Sequence, residues 1–161
     1  VAALLCDQTR VFNVTFSWGV SELRKQGTDT AHHQLTHDEM VDQSLGYQPR
    51  ATEYALASMD AWASFVRRLA TTPEGAGTLL DSCLVLGHSE SSFAKSHSVV
   101  GLPVMLAGAA GGRVAPGLHV AGNGEPVTRI GLTIQQALGI PVESWGTKSM
   151  QTARPVGEIL A

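Results

Sequence analysis

The sequence has no excess of positive charge, no apolar run of membrane-spanning length and almost no cysteine. Its 11 Lys and Arg stand against 14 Asp and Glu, for a net charge of −3 and a pI near 6.0. Without a basic field there is no electrostatic drive toward a phosphate backbone, which argues against a nucleic-acid partner. A spanning helix needs about 20 consecutive apolar residues, and no segment reaches that length. Cys6 and Cys83 lie in the apolar contexts AALLCDQ and LLDSCLVLG, with neither a CxxC pair nor zinc-ribbon spacing, and read as buried free thiols. Also lacking are an initiator Met, a signal peptide and a charged opening segment. The chain starts inside what reads as a helix end, VAALLCDQ, so it is expected to be the C-terminal piece of a longer protein.

What is present suits one globular domain over residues 1–161, since 43% hydrophobic residues suffice to fill a core. TRVFNVTFS alternates and is rich in β-branched and aromatic residues, which predicts a half or fully buried strand over 10–16. Asn13-Val14-Thr15 is formally a glycosylation sequon, set aside because that strand is expected to be buried. Asp7 and Arg10 read as a local pair around the first turn. From Trp18 to Gly46 the chain is polar and aperiodic and reads as a long functional loop.

QPRATEYALASMDAWASFVRRLATT predicts a helix, with Pro49 in its first turn. Tyr54, Leu56, Met59, Trp62, Phe65, Val66 and Leu69 form its apolar stripe, and Arg67 and Arg68 suit the negative end of its dipole. LLDSCLVLG and GLPVMLAG read as strands, the first as a central strand covered on both faces. AAGGRVAPG reads as a turn, lacking Rossmann or Walker spacing, and LHVAG as a short strand. EPVTRIGLTIQQALGI predicts a helix between Pro126 and Gly139, with Ile130, Ile134, Ala137 and Leu138 inward. Strands alternating with long helices predict an α/β fold: a layered, largely parallel sheet flanked by helices.

Histidine carries the chemistry. His32, His33 and His37 in HHQLTHDEM follow the first predicted strand, and His88, Ser89, Glu90 and His97 in GHSESSFAKSH follow the central one. If those strands run parallel, both loops meet at one sheet edge, where α/β proteins gather ligands. Imidazole mixed with the carboxylates of Asp38 and Glu90 would accept zinc or manganese, and a metal-free site would use histidine as general acid or base. The plainer alternative is that these side chains only hydrogen-bond backbone groups. Gly87-His88-Ser89-Glu90-Ser91 resembles a nucleophile elbow with Ser91 in place of the final glycine. No Asp follows Ser89 and no His follows Glu125, Glu143 or Glu158, so the hydrolase triad order fails. His119 reads as structural.

HHQLTHD, TPEGAGTLLDS, His97 with Leu102-Pro103, and AGAAGGR before a C-terminal helix together resemble the C-terminal part of a bacterial family of unknown function named for an HXXSHH motif. Thr36 keeps the hydroxyl of the family serine, and Asp38 stands where the last histidine would be. That family is similar, distantly, to the alkaline phosphatase and sulfatase superfamily. The resemblance implies an alkaline-phosphatase-like C-terminal portion whose first metal-binding aspartate and nucleophile would lie upstream of Val1. It implies His33 and His37 in a first metal-binding position, His88 or Glu90 in a second and His97 in a third. Gly87-His88 stands where the superfamily has an Asp-His pair.

Two functions follow as expectations. One is a metal-dependent phosphatase- or sulfatase-like hydrolase in which His33, His37, Glu90 and His97 hold zinc or manganese, or position a small anionic ester, with His32, Thr36, Asp38, His88 and Ser89 as further polar site residues. The other is a non-catalytic exported protein that kept the fold, lost the metal and uses its crevice for binding. The family resemblance implies a periplasmic or extracellular setting.

Overall fold

The computed structural model describes residues 1–161, which divide into two compact units, Val1–Arg68 with Glu90–Val99, and Leu69–Ser89 with Val100–Ala161. The helices are α1 (Ala2–Leu5), α2 (His32–Asp38), α3 (Pro49–Ala70), α4 (Leu79–Ser82) and α5 (Thr128–Ala137). The strands are β1 (Pro73–Glu74), β2 (Gly77–Thr78), β3 (Val85–His88) and β4 (Val104–Ala107). No helix is long and apolar enough to cross a membrane.

The expected layered parallel sheet, and with it an alkaline-phosphatase-like portion, is not what the chain forms. Its only sheets are two antiparallel pairs, β1–β2 and β3–β4. The run VLGH does become a strand, but β3 pairs with β4 in antiparallel register, Val85 opposite Ala107 and His88 opposite Val104. A parallel neighbour needs a crossover of a dozen or more residues, usually helical. The stretch between β3 and β4 holds only a single 3-10 turn, Ala94–Ser96, so the chain returns antiparallel.

Residues 10–16 form no strand. They belong to no ladder, with Val11 86% exposed, and only Phe12 finds an aromatic partner, edge-on to Phe65 of α3 at 5.5 Å. β-propensity reports fitness for a pleated, half-buried surface and does not supply the neighbour that makes one. The sequon Asn13 is therefore exposed rather than buried. Asp7 and Arg10 do pair, Nε to Oδ1 at 2.9 Å. Residues 118–122, LHVAG, carry no strand.

In the first unit α3 begins at Pro49, where a missing N–H costs nothing. The next two amides, of Arg50 and Ala51, donate to the Glu39 carboxylate at 2.9 and 2.8 Å, so a side chain ten residues back caps this helix. Trp62, Phe65 and Val66 are half-buried, Leu56 and Met59 of the expected stripe face solvent, and Leu69, with which the second unit begins, is buried.

In the second unit Ala110, Val114 and Ala137 form a buried cluster onto which Leu84 and Leu160 pack. α5 buries Leu132, Thr133 and Ala137, with Ile130 and Ile134 half-buried and Leu138 exposed, so its inner face is rotated from the expected one. The buried Thr133 hydroxyl donates to the Arg129 carbonyl at 2.6 Å and accepts from the Val156 amide at 2.7 Å. The Gly139 amide donates to Gln136 O and that of Ile140 to Gln135 O, with Gly139 at φ +78°: a Schellman ending at the glycine the sequence marks. Leu79–Ser82 is a helical turn rather than strand, because Asp81 accepts from the Thr78 amide at 2.7 Å and its hydroxyl at 2.9 Å.

Candidate functional site

The polar stretch expected to be irregular contains α2, and tertiary bonds explain why. A helix of seven residues does not persist alone, and its end groups need partners. At the N-terminus the His32 amide donates to Leu23 O at 2.8 Å and the His33 amide to Ser21 O at 3.1 Å. At the C-terminus the Gln48 amide nitrogen donates to Thr36 O at 2.8 Å and Glu39 O at 2.7 Å. The Lys95 ammonium donates to His37 O and, at 3.0 Å, to Glu39 O. Thr36, buried, donates its hydroxyl to His33 O at 2.7 Å.

His33 and His37 are four residues apart on α2 and so share one face. Their rings meet edge-on with centres 4.8 Å apart. His97 comes to the same face from a closed loop. Ser92 N–H donates to Ser98 O at 2.8 Å and Ser98 N–H to Phe93 O at 3.1 Å, around the turn Ala94–Ser96. His97 itself adopts left-handed backbone, φ 52° and ψ 33°, at the end of that turn, a region that histidine enters more readily than most residues other than glycine. Its ring centre lies 5.0 Å from that of His37 and 6.3 Å from that of His33.

The central contact joins the Nε2 atoms of His37 and His97 at 3.2 Å. The other nitrogen of His37, Nδ1, is 3.2 Å from the Lys95 carbonyl. A carbonyl only accepts, so that bond places the proton of a neutral His37 on Nδ1 and leaves an Nε2 lone pair facing His97. Two readings fit an Nε2 pair at this distance: one N–H donated to the other's lone pair, or two lone pairs directed at one cation. With zinc–nitrogen bonds of about 2.0–2.1 Å, tetrahedral ligands are separated by about 3.3 Å. No three His, Cys, Asp or Glu donors converge at metal-binding distance as the side chains stand. The arrangement is thus a preformed pair with a third imidazole beside it.

The remaining expected site residues of the first unit make other contacts. His32 stacks on Tyr54, ring centres 4.5 Å apart and 11° from parallel, and its buried Nδ1 has no hydrogen-bond partner. Burial first, and then the neighbouring His33, hold its imidazole below the ordinary histidine range. Asp38 accepts from Gln34 at 2.9 Å on the exposed side of α2. Glu90 sets its carboxylate against Gly19, filling the place a Cβ would take. His88 and Ser89 belong to the second unit, where His88 Nδ1 is 3.2 Å from the Ser89 carbonyl.

Sequence reasoning passed over Lys95, Gln48 and Glu39, which hold the site together through backbone groups. No local signal marks such bonds, because their partners are backbone carbonyls that accept and backbone amides that donate, all distant in sequence. A hollow of about 350 Å³ in the second unit, lined by Thr128, Ser144, Trp145, Gly146, Thr147 and Met150, has no titratable side chain and offers no comparable chemistry. No protein-family model, curated protein or solved structure matches the chain.

Proposed function

We propose that the chain is a metal-binding protein whose His37–His97 pair, with His33 as third donor, holds a divalent ion and serves hydrolysis of a small anionic ester. The observation that carries the reading is the Nε2 pair at 3.2 Å, with the outer nitrogen of His37 tied to a carbonyl. Metal-ligating histidines commonly donate their second ring N–H in this way. An all-imidazole donor set suits zinc better than manganese, which prefers carboxylate oxygen, and the Glu90 carboxylate lies against Gly19. Three protein donors are the number that leaves a zinc site open to substrate. When bound, such an ion supplies Lewis acidity toward an ester oxygen.

The chain's own residues orient and hold. α2 presents two imidazoles, the 92–98 loop presents the third, and the Thr36 hydroxyl is committed to the helix rather than to a substrate. The resemblance of HHQLTHD to the HXXSHH family extends the reading to phosphate or sulfate esters and an exported setting. The test is elemental analysis of chelator-washed protein after zinc is restored, with His33→Ala and His97→Ala alongside, then assay on aryl phosphate and aryl sulfate. About one zinc per chain, lost in both variants, supports the site. Turnover lost with the zinc supports hydrolysis, whereas zinc without turnover supports the non-catalytic binding protein. No zinc after restoration, or zinc unaffected by either substitution, overturns the reading.

A further inference from the structure

Lys95 is half-buried and makes three bonds at the end of α2, two of them to His37. Its ammonium donates to the carbonyls of His37 and Glu39, and its own carbonyl lies 3.2 Å from His37 Nδ1. His37 is therefore gripped at its backbone and at its ring by one residue 58 positions away in sequence. Lys95 also stands two residues before His97, inside the loop closed by Ser92 and Ser98. A cation suits the place, since carbonyl oxygens at a helix C-terminus carry partial negative charge and α2 offers no basic residue there except His37.

We infer that Lys95 is the positioning residue of the three-histidine site, docking the His97 loop on the end of α2 and fixing His37 as the Nδ1–H tautomer with Nε2 free toward His97. The inference rests on the metal-site reading above for its zinc consequence, but the tautomer consequence stands without zinc. A side chain that merely filled space would be replaced by methionine with no change in the His37 proton. A side chain that only supplied charge to the metal site would weaken cation binding, and its removal would tighten it.

The experiment compares wild type, Lys95→Met and Lys95→Arg by two readouts. Long-range ¹H–¹⁵N correlation on zinc-free protein reads the His37 tautomer, and calorimetric titration with zinc reads affinity. Wild type is expected to show His37 as Nδ1–H. Lys95→Met is expected to show a tautomer mixture and to bind zinc about 10–100-fold more weakly, the usual cost of losing an outer-shell partner. Lys95→Arg, which keeps the charge and the donors, is expected to recover the tautomer and most of the affinity. An unchanged tautomer with unchanged affinity in Lys95→Met, or tighter zinc binding there, overturns the inference. A wild type that binds no zinc overturns the metal reading alone, because the tautomer comparison still decides Lys95. Should Lys95→Met not fold, the wild-type Lys95 ammonium protons decide it: slowed exchange supports the docking bonds, and exchange at the rate of a free lysine overturns them.

Discussion

Replacing Gln48 with methionine keeps the volume of a buried side chain and removes both bonds it gives to α2. The two acceptors are not equivalent. Glu39 O still receives the Lys95 ammonium at 3.0 Å, so losing Gln48 there costs only the net value of one hydrogen bond, about 1 kcal/mol. Thr36 O accepts from Gln48 at 2.8 Å in a buried setting, and without it a backbone carbonyl is stranded, at about 1–3 kcal/mol. The sum is about 2–4 kcal/mol, or a fall of about 4–16 °C in Tm for a chain of this size. Urea and thermal unfolding followed by far-UV circular dichroism would measure it. Gln34→Met is the matched control, since Gln34 reaches Asp38 on the exposed side of the same helix and its loss should stay within about 0.5 kcal/mol. Equal losses in the two variants would refute the claim that α2 is held by its tertiary bonds.

Three further outcomes are expected. His97→Gly relieves left-handed backbone, so the protein should gain up to about 1 kcal/mol in urea unfolding while zinc titration shows weaker binding; a loss of stability would mean the ring, not the backbone, governs the position. His32 is held neutral by burial, so its folded-state pKa lies below its unfolded value near 6.5. The stability it contributes is complete above that pH and is lost as pH falls through the lowered value. His32→Phe keeps the stack on Tyr54 and should flatten the fall in stability as pH drops below the ordinary histidine range near 6.5, whereas an unchanged slope would contradict the assignment. Gly108→Ala places a methyl on the Cys83 carbonyl and 2.9 Å from that of Leu80, at φ +99°, and should cost more than about 2 kcal/mol. Gly111→Ala, with nothing within 4 Å, should cost about 1 kcal/mol from backbone strain alone, and similar losses in chemical denaturation would dismiss the close approach.

What the sequence by itself determined is local. Pro49 and the apolar spacing after it make α3, Gly139 ends α5 through bonds made within the last turn, and the runs around Val85 and Val104 become strands. Each of these follows from φ preferences, periodicity and partners a few residues away. His33 and His37 share a face as soon as their segment is helical, because four residues complete about one turn.

Tertiary structure decided the rest. The direction of the β3–β4 ladder depends on how the chain returns, and the run over 10–16 carries strand character with no ladder to join. α2 is too short to stand on propensity and exists through bonds its own amides give to the Leu23 and Ser21 carbonyls and its own carbonyls accept from Gln48 and Lys95. The meeting of His37 with His97, 60 residues apart, depends on those same bonds. Backbone carbonyls and amides are identical at every position of a sequence, so which of them a distant glutamine or lysine will satisfy is written only in the folded arrangement.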